Sequence, residues 1–183
     1  MVMKPIVLIP LGEVNIDLLS RLKDELSEMF NTCVSILFHP IQLPLNAYNA
    51  RRKQYHSTII LDNIRSTNIG CGKASILIVT DLDLYVSGLN FVFGQAESPG
   101  NYAIVSLHRL RPEFYGGEPD SNLLAERLLK EAVHELGHTY GLKHCSNPRC
   151  VMSFSNSILD VDIKSFRFCE SCRIRLSELT RVS

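Results

Sequence analysis

The sequence predicts an α/β chain (in the α+β sense) built on a mixed five-stranded sheet with one antiparallel edge strand and backing helices. Three observations predict it. Apolar runs at Ile6 to Ile9 and Ser75 to Val79 suit buried strands, and Cys33 to Phe38 and Tyr102 to Leu107 read as further strands. Leu89 to Gln95 is short and alternating, with Gly88 and Gly94 at its ends, which suits an antiparallel edge. Between the runs, apolar residues recur at helical spacing.

Taken in order, the first strand is followed by Asn15, a helix N-cap residue, and by Ile16, Leu19, Leu22, Leu26 and Met29 along one helix face over 16–30. The second strand follows. Pro40 and Pro44 make 39–50 a loop, in which His39 is a structural or surface residue. Tyr55, Ile59, Ile60 and Ile64 mark a second helix ending before Gly70, with Arg51, Arg52 and Gln54 at its start as a solvated face, a structural ion pair being the alternative. The third strand completes a β-α-β-α-β order, which implies parallel strands. Asp81, Asp83 and Tyr85 come next. A turn with local capping carboxylates is preferred there to a cation site or substrate contact.

After the edge strand and the fifth strand, His108 has no evident role, and 111–119 is a loop. Asp120 or Ser121 caps a helix reaching about Tyr140, whose core face is Leu124, Leu128, Ala132 and Leu136. Asp160 to Lys164 reads equally as a solvated turn or capping cluster and as a segment making a direct contact. Ile174 to about Leu179 is a short closing helix.

The chain's 183 residues predict one domain, with an N-terminal sheet-and-helix part (1–141) and a C-terminal part (142–183). Zero net charge gives no basic footprint for nucleic acid. The apolar run Val7 to Leu11 is too short for a signal peptide or a membrane span, and no pro-segment precedes the first strand, so propeptide activation is not expected. Six cysteines in such a chain point to the reducing cytoplasm, with Cys33 and Cys71 as buried free thiols. Oligomeric state is not readable.

The chemistry concentrates between residues 134 and 152. His134 and His138 lie one helical turn apart on one face, a spacing suited to binding one cation. Glu135 between them can serve as the base for a water that the cation activates. Gly141 can take a left-handed backbone and end the helix, so that His144 returns as a third ligand. A bare HExxH arises by chance in amphipathic helices. The added glycine and third histidine are independent requirements, and three nitrogens with an open fourth position describe a catalytic zinc. Cys145 and Cys150, with the Cys169 and Cys172 pair, have the spacing of a structural four-thiolate zinc site. Disulfides need an oxidising compartment. A redox CxxC usually opens a helix after a strand, and it leaves two thiols over. Two zinc ions per chain are therefore expected. Because His144 and Cys145 are adjacent, the structural zinc would also fix the loop presenting His144.

The run HExxHxxGxxHC, then CxM, then a distal CxxC resembles the archaemetzincin family of metzincin-type zinc metallopeptidases. Phe154-Ser155-Asn156-Ser157, Asp162-x-Lys164, Thr80-Asp81-x-Asp83-x-Tyr85 and Gly88 to Ala96 resemble it too, so the likeness runs from about Pro5 to Leu176. It implies a metzincin-like sheet and a Met-turn whose methionine, Met152, forms an apolar floor under the zinc. It also implies an edge strand whose Phe91, Val92, Phe93 and Gly94 bind an extended substrate. Some metzincins place a tyrosine after the Met-turn as an oxyanion donor, where this chain has Ser153-Phe154-Ser155.

The expected function is hydrolysis of peptide bonds in small peptides or selected proteins by a Glu135-assisted water. The sequence does not separate internal cleavage from aminopeptidase-like trimming. The alternative is a zinc-stabilised peptide- or protein-binding protein with little peptidase activity. The intact Glu135 favours the enzyme, and the missing tyrosine favours the binder.

Overall fold

Strand β1 (Ile6–Leu11) belongs to a five-stranded sheet ordered β2-β1-β5-β8-β7, with β2 at Val34–Ile36, the central β5 at Ser75–Thr80, β7 at Gly94–Ala96 and β8 at Tyr102–Ser106. The computed structural model describes residues 3–70 and 72–181. Strands β2, β1, β5 and β8 are parallel, and β7 runs antiparallel to β8 at the edge, as the sequence pattern predicts. Every residue of β5 and β8 is buried. Alternate side chains feed two cores. Ile6, Leu8, Leu77, Val79, Ala103 and Val105 pack with helices α1 (Ile16–Phe30) and α3 (Ser121–Thr139). Ile9, Ile76, Ile78 and Ile104 pack with α2 (Ser57–Ser66) on the other face.

The long helices begin where their cap residues stand. Asn15 Oδ1 accepts from the backbone N–H groups of Asp17 and Leu18 at 2.8 and 3.1 Å, and Asp120 Oδ1 accepts from Asn122 and Leu123, both at 2.9 Å. Two short helices close the chain: α4 (Ile158–Ile163) and α5 (Glu170–Leu179). Helix α5 starts four residues earlier than its apolar spacing predicts, so Cys169 is its N-cap and Cys172 lies in its first turn.

The largest departure from expectation lies around the edge strand. The ladder holds only Gly94–Ala96. Residues 89–91 are outside it, and Val92 instead bridges to Leu84, its N–H donating to that carbonyl at 3.0 Å. The competitor is Arg52, whose guanidinium donates to the carbonyls of Leu89 (2.9 Å) and Asn90 (2.6 Å), with Gln54 Nε2 adding a bond to Asn90 O at 3.1 Å. Side chains thus take the carbonyls that a longer ladder would use. Nor do Arg52 and Gln54 form a solvated helix face. They belong to a small second sheet of β3 (Tyr48–Asn49), β4 (Gln54–His56) and β6 (Leu84–Tyr85), and Gln54 is buried. Cys33 is exposed, not buried, because it precedes the outer strand β2; Cys71 lies outside the described residues. No helix among the described residues is long and apolar enough to cross a membrane.

Candidate active site

Helix α3 packs across β7 and β8 and carries His134, Glu135 and His138 into a cleft of about 660 Å³. Its end is built as predicted. Gly141 has φ of 90°, its N–H donates to His138 O at 2.8 Å, and the N–H of Leu142 donates back to Gly137 O at 3.1 Å. This closing turn sends the chain back over the cleft, so that His144 joins the other two imidazoles. The ligand nitrogens of all three lie within 4.8 Å of one another.

The tautomers follow from the backbone. His134 Nδ1 donates to Val151 O and His138 Nδ1 to Leu142 O, both at 2.7 Å. Each Nδ1 therefore carries the proton, which leaves the Nε2 lone pairs facing each other at 3.1 Å. Two lone pairs at that distance fit a shared cation. Burial pushes His134 well below the ordinary imidazole range, with the Lys164 and His138 charges adding to it. Burial also lowers His138 and His144. Neutral imidazoles are the form that binds metal.

Glu135 is buried beside them. Burial, then the charge of Glu131 one turn earlier, pushes its carboxyl well above the usual carboxylate range, and Lys164 partly opposes this. The edge strand allows this placement because residue 94 is glycine. A Cβ there would come within 2.6 Å of Glu135 Oε1 and 2.7 Å of Ile104 O.

The four predicted thiols also come together, with their sulfur atoms within 4.8 Å of one another. All four are free, so the disulfide reading fails. The Cys169 thiol, next to the Ser171 hydroxyl, is lowered to about 6, whereas burial raises Cys150 and Cys172. The CxxC does open a helix, contrary to one argument made above from sequence, yet all four sulfurs converge as a four-thiolate metal site requires. Met152 is buried with its thioether against Gly137, and its carbonyl accepts from Cys145 N–H at 2.9 Å.

Phe91, Val92, Phe93 and Gly94 all line the cleft, although only Gly94 does so from the strand. Ser155 lines it as well, and its buried hydroxyl has no hydrogen-bond partner among the described residues. Neither His39 nor His108 lines it. Asp81 accepts from Glu13 N–H at 3.2 Å, a backbone group distant in sequence and not one of its own turn, so the expected local capping is not what it does.

Several residues that shape the site had no role assigned to them from the sequence. Lys164 is fully buried, its ammonium 2.8 Å from Glu131 Oε1 and 3.4 Å from Ser153 O. It therefore does not belong to a solvated turn. Asp162, in the same segment, forms a two-pronged ion pair with Arg127, both bonds 2.7 Å. Asp160 does cap, accepting from Ser157 N–H at 2.9 Å. Asp83 holds Arg109 through two bonds of 2.7 and 2.8 Å.

Comparison with known proteins agrees with this geometry. The model of peptidase family M54 matches residues 8–178. The archaemetzincin of Methanocaldococcus jannaschii is 47% identical over 169 residues, 92% of this chain and 90% of that protein. The crystal structure of the Methanopyrus kandleri archaemetzincin is similar at a TM-score of 0.82 and 38% identity, covering 97% of this chain and 96% of that one. A zinc-dependent peptidase from Methanocorpusculum labreanum gives a TM-score of 0.83 at 35% identity, over 93% and 99%. The chain belongs to peptidase family M54, with the archaemetzincins, and is a zinc metallopeptidase.

Proposed function

We propose that the chain hydrolyses peptide bonds with His134, His138 and His144 holding a catalytic zinc and Glu135 moving the proton. Cys145, Cys150, Cys169 and Cys172 hold a second, structural zinc. The observation that carries this is the trio of imidazoles whose ligand nitrogens converge beside a buried carboxyl, two of them, His134 and His138, with Nδ1 tied to a backbone carbonyl. Zinc bound there supplies a Lewis acid that polarises the peptide carbonyl and makes water acidic.

The remaining work falls to the protein. Glu135 takes a proton from the attacking water and returns it to the leaving amine. In the β7–β8 ladder Phe93 O and Glu97 N–H pair inward with Ser106 and Tyr102, so by alternation the backbone groups of Gly94 and Ala96 face the cleft. An extended peptide adds to that free edge as a further strand. Apolar side chains around the cleft exclude water from the bond being cut.

The test is digestion of a mixed peptide library by the zinc-loaded chain, read by mass spectrometry beside Glu135→Ala. New termini only with the wild type are expected. Equal products from both would exclude Glu135 chemistry. No products from either, with both metals bound, would favour a peptide-binding protein.

A further inference from the structure

The rim above the histidines is an irregular segment held by two arginines. Arg52 grips the Leu89 and Asn90 carbonyls and stacks on Tyr85, its guanidinium carbon 4.4 Å from the ring centre. Arg109 lies between two aromatic rings, 4.4 Å from the centre of Phe91 and 4.8 Å from that of Phe114, and Asp83 fixes its plane from the side. Phe91 in turn meets Phe93 edge to face at 5.1 Å. A guanidinium stacked on a ring and clamped by a bidentate carboxylate has little rotational freedom. The ring it carries is held in one orientation before any substrate arrives.

Phe91 lines the cleft, with Val86 and Leu89 from the same rim. Phe154, packed on His144 with ring centres 4.9 Å apart, also lines it. The carboxylates lining the cleft are Glu131 and Glu135, and the one lysine lining it is Lys143. Because 89–91 are not in the ladder, this segment offers a substrate side chains and not a backbone edge.

We propose that Phe91 is a specificity-determining residue that selects a bulky apolar side chain adjoining the scissile bond, and that Arg109 and Asp83 are positioning residues acting through it. This rests on the peptidase reading above. An apolar pocket separates a large side chain from a small one by roughly tenfold to two-hundredfold in kcat/KM. A wall already in place delivers that discrimination without an ordering step.

The experiment uses the full zinc-loaded chain, the mixed peptide library, and two peptides differing only in Leu or Ala at the preferred flanking position. Wild-type products should be enriched in Leu, Phe, Met or Tyr at that one position. In Phe91→Ala the Leu-to-Ala ratio of kcat/KM should fall about tenfold, carried by KM. Arg109→Met should lower the ratio in the same direction, and the Phe91→Ala/Arg109→Met double variant should lose no more than Phe91→Ala alone. Phe91→Leu, a milder change, should keep most of the preference. Cleavage by the wild type without apolar enrichment, or an unchanged ratio in Phe91→Ala, overturns the inference alone. No cleavage by the metal-loaded wild type overturns the peptidase reading and the inference with it.

Discussion

Replacing Lys164 by methionine should destabilise the protein far more than a surface lysine change. The Lys164 side chain is wholly buried and that of Glu131 is 4% exposed, with the charges 2.8 Å apart. Methionine keeps most of the length and apolar volume, so the loss is mainly of charge. The Glu131 carboxylate is then left buried without its cation, a change of roughly 3–5 kcal/mol. The 3.4 Å bond to Ser153 O adds little, since it is near the limit of hydrogen-bond length. In a domain of this size, that corresponds to a fall in Tm of about 6–20 °C. Removing both charges in Lys164→Met/Glu131→Leu should recover most of the loss, because a well-packed apolar pair is often as stable as a buried ion pair. The assay is urea unfolding of the metal-saturated chain by circular dichroism, arranged as a double-mutant cycle. A single variant within about 1 kcal/mol of wild type, or a double variant no better than the single, would refute the reasoning.

Gly94→Ala should lower kcat by about tenfold to a hundredfold while the chain stays folded, since its Cβ must displace the Glu135 side chain or the Ile104 carbonyl. Steady-state kinetics with a circular dichroism spectrum checks it, and wild-type kcat would contradict the close approach. Cys150→Ser should lower Tm and metal content together, because site binding and folding are coupled; elemental analysis after gel filtration and a thermal melt read both. In the metal-free chain, acidification from pH 7.5 to 5.5 should lower the urea midpoint. The three histidines have depressed folded values, so unfolding takes up protons below the ordinary imidazole value of 6.5. Glu135, raised by burial, works the other way, but it is one group against three. A midpoint that rises on acidification would reverse the sign.

Helix α3 could be read in full from the sequence. Its cap, its apolar stripe and its histidines lie within one stretch, and each is a local signal. Strands β5 and β8 were equally plain, because burial on both faces leaves an unbroken apolar run, whereas β2 is only part-buried and shorter than the run Cys33 to Phe38. Apart from the cysteine cluster, whose spacing is itself a signal, what failed was what is fixed between distant positions. Arg52 and Lys164 carry charges that look solvated in sequence, yet their partners lie 37 and 33 residues away. Residues 89–91 alternate like a strand, but Arg52 removes two of the carbonyls a ladder would need. Strands β3, β4 and β6, of two or three residues each, are too short to show any period.

The bond from His134 to Val151 O reaches between Cys150, a thiol of the sulfur cluster, and Met152, whose carbonyl holds Cys145. A metal bound at the thiols would therefore order the acceptor that orients His134. Thermodynamic reciprocity then requires the histidine metal to tighten the thiol metal by the same factor. On titration with a chelator, chains carrying both ions or neither should outnumber chains carrying one.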